Sequence, residues 1–176
     1  MSAPLSHKRF YIVDADFLLT YLGVPGFERA GSDEAPITHE DAARQIESLK
    51  AGGETLVLPT SVIVEAGNHI TNAKREVQKY ARAFAEVIRD SIDSKEPWAA
   101  YDETPNLDAI DFLRELAKEW AAQAEHRVSI GDMAVRHVVK HYRALGSQVY
   151  ILTGDQTLGA HSDPIETSPP RRRQRR

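Results

Sequence analysis

The chain has 176 residues, 41% hydrophobic and 27% charged, with 22 basic against 26 acidic residues and no cysteine. This length fits one ordinary domain able to bury roughly 70% of its unfolded surface, so no metal or disulfide is needed merely to hold a core together. The lack of cysteine excludes thiolate zinc sites, iron–sulfur clusters, thiol nucleophiles and disulfide scaffolds, and it favours a reducing, cytoplasmic compartment.

The first nine residues contain no apolar signal core. No stretch approaches the ~18 apolar residues of a bilayer span, so the expectation is a soluble chain with no membrane partner. Phe10-Tyr11-Ile12-Val13 is an apolar run ending at Asp14-Ala15-Asp16, the pattern of a buried strand followed by a turn. A short helix over 17–22 is stopped by Gly23 and Pro25, and Asp16 suits its cap. Residues 23–37 read as loop, with three glycines and two prolines. Thr38 with Asp41 three residues on opens a helix that runs to about 50 and closes at Gly52-Gly53.

Leu56-Val57-Leu58-Pro59 is a second buried strand, and 61–93 a long helical region with a break expected near Gly67. Residues 98–101 suit a short edge strand. A helix over 107–125 carries an apolar stripe of Ile110, Leu113, Leu116, Ala117 and Trp120. Ser129 opens another helix, with Val135, Val138, Val139 and Tyr142 on one face and an end at Gly146. Val149-Tyr150-Ile151-Leu152 is the last strand, leading into Thr153-Gly154-Asp155. Short apolar strands alternating with helices predict an α/β fold with a mostly parallel sheet flanked by helices, in which ligands collect at the carboxyl ends of strands. A domain over 1–166 and a basic, disordered tail over 167–176 are expected. The tail ends in Arg-Arg-Arg-Gln-Arg-Arg, and without it 17 basic residues face 26 acidic ones. A body that acidic does not attract nucleic acid by bulk charge, although metal ions on its carboxylates could do so, and the tail could add phosphate contacts.

Four carboxylates carry the chemistry. Asp14 and Asp155 each follow a strand, and in a parallel sheet both emerge at one edge. Glu65 sits at the margin of the face made by Val62, Ala66 and Ile70; it either reaches water, pairs with His69 one turn on, or holds a metal. Asp132 completes a capping box with Ser129 and also lies beside the apolar stripe of its helix. Clustered without a cation, four such groups would repel strongly, and oxygen-rich carboxylate sets suit Mg²⁺ or Mn²⁺.

Residues 10–19, opening on Phe10-Tyr11-Ile12-Val13-Asp14, resemble the first motif of PIN-domain nucleases. Leu58-Pro59-Thr60-Ser61-Val62-Ile63-Val64-Glu65 resembles the second, Ser129-Ile130-Gly131-Asp132-Met133-Ala134 the third and Ile151-Leu152-Thr153-Gly154-Asp155 the fourth. The resemblance covers about 10–165 and implies a Rossmann-like PIN fold and an endoribonuclease dependent on Mg²⁺ or Mn²⁺. Asp14, Glu65, Asp132 and Asp155 would carry the metal, and the Thr153 hydroxyl would orient a ligand or phosphate. Water would attack the phosphorus in line, leaving a 5′-phosphate and a 3′-hydroxyl. Asp16 stands where the family commonly has Asn or Ser, and its extra negative charge would either tighten metal binding or merely cap the helix. Many members are toxins of toxin–antitoxin pairs of the VapC type, so the implied partners are an RNA substrate, an antitoxin protein and a second copy of the chain. This chain is longer than a compact toxin through its 66–128 region and its tail.

Two other readings remain. A PIN-like module could bind RNA or protein without cutting. The Asp14-Ala15-Asp16 triplet also resembles the nucleophile motif of haloacid-dehalogenase-type phosphatases, but that scheme wants a lysine after the threonine, and none follows Thr153. His137 and His141 have zinc-compatible spacing without the zincin glutamate, so a solvated helix face is expected there.

Overall fold

The computed structural model describes residues 8–100, 109–123, 126 and 128–164, with the side chains of 109–113 outside that description. Strands β1 (Arg9–Val13), β4 (Thr55–Leu58), β5 (Trp98–Ala100) and β6 (Gln148–Leu152) form one parallel sheet in the order β5-β4-β1-β6. Strands β2 (Arg29–Ala30) and β3 (Ile37–Thr38) pair antiparallel as a small ribbon within the expected loop. The main strands are almost wholly apolar because helices cover the sheet, leaving no solvent face to alternate towards. Ile12, Val13, Leu56, Val57, Leu58, Val149 and Leu152 are all buried. Phe10 stacks on Tyr142, and Tyr11 on its register partner Tyr150. The chain is therefore α/β with a central four-stranded parallel sheet flanked by helices, as the alternating pattern implies.

Helix α1 (Ala15–Leu22) begins two residues earlier than expected and ends at Gly23, whose φ of 69° provides the left-handed turn and whose N–H bonds back to Leu19 and Thr20. Helices α2 (His39–Ala51) and α6 (Ile130–Ala144) each open on a complete capping box, Thr38 with Asp41 and Ser129 with Asp132. The long central region is two helices, α3 (Thr60–Thr71) and α4 (Val77–Ile92). Its break falls after Thr71 and not near Gly67. Gly67 stays helical because a lone glycine costs a helix only about 1 kcal/mol against alanine; a Cβ there would stand in ordinary contact, 3.8 Å from the Phe84 ring. Val62, Ala66 and Ile70 form the buried stripe of α3, as expected.

Helix α5 (Ala109–Gln123) packs on α6. Leu116 is buried against Met133 and Ala134 of α6, but Ala117 and Trp120 are exposed, and Ile110 and Leu113 lie among the side chains outside the description. The Trp120 indole donates to the Val128 carbonyl at 3.1 Å. A last short helix, α7 (Gln156–Gly159), follows β6. Tyr101 and the tail over 167–176 lie outside the described residues. No helix among those described is long and apolar enough to cross a membrane.

Candidate active site

The chain runs outward through β1, β4 and β5, then returns to lay β6 on the other side of β1. The carboxyl ends of β1 and β6 therefore flank the point where the winding reverses, the usual place for a crevice in an open parallel sheet. Val13 and Leu152 are register partners, and the Asp14 N–H extends the ladder by bonding the Leu152 carbonyl at 3.0 Å. Asp14 and Thr153 thus leave adjacent strands side by side. The Thr153 hydroxyl accepts from the Asp155 N–H at 3.0 Å and donates to Asp14 Oδ2 at 2.7 Å.

Asp16 completes this cluster. It lies in the first turn of α1 and, instead of capping a helix starting at Phe17, it turns towards β6. The Gly154 N–H reaches its Oδ2 at 3.1 Å, the Thr153 hydroxyl stands 3.5 Å from its Oδ1, and the Phe17 N–H donates to it at 2.6 Å. Asp14 occupies the cap position of α1 without making a side-chain cap bond. Burial, and next the negative charge of Asp16, push its carboxyl from the ordinary 3.8 up to about 7, against the pull of the Thr153 hydroxyl and the Ala15 N–H. A half-buried acid of this kind beside a second acid is a frequent mark of a functional site.

Glu65 comes from the exposed side of α3, beyond the buried stripe. Desolvation raises its pKa, His69 opposes, and the charges of Asp132 and Asp16 raise it further, so Glu65 stands within electrostatic range of both. Gly131 makes this approach possible, because a Cβ there would sit 3.0 Å from Glu65 Oε2. Asp132 spends its Oδ2 on the Ser129 N–H at 3.2 Å. Asp155 is exposed and caps α7, its Oδ1 accepting from the Thr157 and Leu158 N–H groups at 2.6 and 3.0 Å.

Of the expected residues, Asp14 and Thr153 are in direct contact, Glu65 lies against Gly131 within electrostatic range of Asp132, and Asp155 is joined to the group through its backbone. The four acids do not close into one tight cage, and among the described residues no group of three His, Asp or Glu side chains is disposed to hold a metal ion as it stands. Asp16, left open in the sequence between a helix cap and a contributor to metal binding, accepts from the Gly154 N–H and acts electrostatically on both Asp14 and Glu65. Its signal in the sequence was its spacing two residues after Asp14, which one turn of backbone folds back beside it. His137 differs from the expected solvated face: its side chain is 12% exposed, with Nε2 3.2 Å from Glu119 Oε2, because α5 packs over that part of α6.

No protein-family model matches the sequence, and no curated protein matches it. A solved structure, that of PAE2754 from Pyrobaculum aerophilum, is similar to this chain with 16% identity over 92% of this chain and 89% of that chain, at a TM-score of 0.49.

Proposed function

We propose that this chain is a metal-dependent endoribonuclease with a Rossmann-like PIN-type architecture, and that its site is the rim formed by Asp14, Asp16, Thr153, Glu65 and Asp132. The observation that carries this reading is the state of Asp14. Its carboxyl is half-buried at the reversal point of the sheet, stands beside the charge of Asp16, and among the described residues has no cationic side chain acting on it. A carboxylate pair left uncompensated in this way calls for a proton or a cation.

The donor set fits a hard divalent ion. All its members offer oxygen, and Mg²⁺ is ordinarily held by one or two carboxylates with water and substrate phosphate filling the remaining positions, so three ligating side chains are not required. Asp14 and Asp16 would hold the ion, with Glu65 and Asp132 on the facing side. Bound there, it would neutralise the acids, offset charge on the phosphate and ease deprotonation of water. The chain's own groups do the rest. The Thr153 hydroxyl orients Asp14, the Gly154 N–H fixes Asp16, and Glu65, whose proton affinity is raised by desolvation, stands on the facing side as a group that could accept a proton from water. Asp155 shapes the turn that carries Thr153.

The helix caps made by Asp132 and Asp155 favour a second reading, in which the chain binds RNA or a partner protein without cutting it. One assay separates the two. Single-stranded RNA incubated with the purified chain and Mg²⁺ or Mn²⁺ is expected to be cleaved, EDTA to stop the reaction, and Asp14→Asn to abolish it. Intact RNA under all metal conditions overturns the nuclease reading.

A further inference from the structure

A cavity of about 420 Å³ lies between α5, α6 and the segment after α7, lined in part by Glu119, Gln123, Arg136, Lys140, Arg143 and His161. Three of these are cations at i, i+4 and i+7 on α6, which sets them along one face. Two have their charge answered. Lys140 Nζ donates to both oxygens of Glu119 at 3.0 and 2.9 Å. Arg143 Nε donates to Asp163 Oδ1 at 2.9 Å, and its Nη2 to the His161 carbonyl at 2.6 Å.

Arg136 is different. Its Nε is buried and has no hydrogen-bond partner, and among the described residues its Nη1 meets the Met133 sulfur at 3.9 Å and no carboxylate. Leaving a buried N–H donor unsatisfied costs on the order of 1–3 kcal/mol, and more when it belongs to a charged group. Burial, then the charges of Arg136 and Arg143, lower the pKa of His161, so the three groups crowd the same space. Among the described residues, the cavity therefore offers one guanidinium without a carboxylate partner to whatever enters it.

We propose that the cavity binds a backbone phosphate of single-stranded RNA through the Arg136 guanidinium, with His161 and Gln123 beside it, and so seats the strand for the acid rim. A guanidinium fork matches the paired oxygens of a phosphodiester. A phosphodiester carries one negative charge, equal to the one positive charge left after Lys140 and Arg143 are paired. An acidic peptide would bring several carboxylates to a place where, among the described residues, one cation lacks a carboxylate partner. Arg136 also stands one turn beyond Asp132, about 6 Å further along the helix, so a strand held here runs past the rim. In an otherwise acidic body, this local cation decides where a polyanion can land. The RNA assignment rests on the proposed nuclease reading, but phosphate capture does not require cleavage.

The experiment measures binding and not turnover. A fluorescent single-stranded RNA is titrated into the full chain in EDTA at several salt concentrations. Arg136→Ala is expected to weaken binding about tenfold and to lower the salt slope by about 0.7, the value of one lost contact to a single strand. Arg136→Lys, which keeps the charge and loses the fork, should fall between. In the wild-type chain, inorganic phosphate is expected to raise the pKa of the His161 ring followed by NMR, a readout that survives even if Arg136→Ala fails to fold. Unchanged affinity and slope in a folded Arg136→Ala chain overturn the proposal, as does a wild-type chain that binds no RNA. A His161 response to phosphate with no effect of Arg136→Ala on RNA overturns the RNA assignment. If Arg136-dependent binding is found and cleavage is not, the nuclease reading falls and this site stands.

Discussion

Asp14 on one side of the rim, and Asp132 and Asp155 on the other side and at its end, are all acids at the start of a helix, yet their surroundings are opposite. Asp132 and Asp155 accept backbone N–H groups at the mouths of α6 and α7, where peptide dipoles favour negative charge. Asp14 holds on α1 the cap position that Asp155 holds on α7, but it makes no side-chain cap bond and lies under the charge of Asp16. Two of the acids are thus already neutralised by the fold that carries them, and one is held where the fold penalises its charge. A cation gains most at the second kind of position, which is why the site is centred on Asp14 and not on the midpoint of the four acids.

The largest test of this contrast is Asp14→Asn. RNA cleavage is expected to fall by about 10³-fold or more, while the metal-free chain becomes more stable. The sign follows from the raised pKa. The carboxyl binds its proton more tightly in the folded chain than in the unfolded one, so its contribution is complete below about pH 4 and lost as pH rises through about 7. Urea unfolding in EDTA should show wild-type stability falling by on the order of 2 kcal/mol between pH 5 and pH 8 relative to Asp14→Asn. Mg²⁺ at pH 8 should restore that loss to the wild-type chain and do little for the variant. Parallel pH curves for the two chains would mean that Asp14 is not held in a penalised state.

Gly154→Ala strikes the junction that holds Asp16 in place. A Cβ at this position would run into the backbone nitrogen of Gly31 and lie 2.7 Å from Asp16 Oδ2. Neither neighbour can move freely, because Gly31 is itself confined: a Cβ there would meet the Ala35 carbonyl at 2.8 Å. The expected cost is about 3 kcal/mol, measured by denaturant unfolding, with cleavage reduced along with the loss of Asp16 geometry. A stable and fully active Gly154→Ala chain would show that the loop after β2 does not press on the site.

Asp155 gives a smaller, paired test. Asp155→Ala loses the α7 cap and about 1 kcal/mol, whereas Asp155→Asn keeps a capping oxygen and with it the stability. If Asp155 serves the turn alone, Asp155→Asn also keeps its cleavage rate. A folded Asp155→Asn chain that no longer cuts RNA would put this carboxylate among the ion's direct partners.

Strand ends were the legible part of the sequence. An apolar run that stops at a polar turn or a proline declares a buried strand, which is why β1, β4 and β6, and the place of Asp14 at the mouth of β1, follow from pattern, whereas the role of Thr153 is implied by the resemblance. The capping boxes of α2 and α6 are local in sequence and equally plain. What pattern could not carry is the direction of a side chain. Asp16 reads as a cap because Asp commonly caps helices, but its carboxylate is drawn across to the Gly154 N–H, a partner 138 residues away. Gly67 reads as a helix breaker, but burial of the Val62, Ala66 and Ile70 stripe carries the helix through it. Arg136 reads as one of 22 basic residues, and its lack of a carboxylate partner becomes visible only when the neighbours of α6 are in place.

The finest probe of the comparison is Gly131→Ala, because it acts on fold and site with opposite sign. Gly131 lies in the first turn of α6, where alanine is favoured over glycine by up to about 1 kcal/mol. The added Cβ would stand 3.0 Å from Glu65 Oε2, which is the free end of a flexible side chain and can swing away at little cost. Thermal unfolding should therefore show a gain of about 0.5 kcal/mol, while Glu65 is displaced from Asp132 and Asp16 and cleavage drops several-fold. Stability and activity moving apart in this way would locate the function of Gly131 in the approach of Glu65. Gain in both would mean that Glu65 works from a position that α6 does not control.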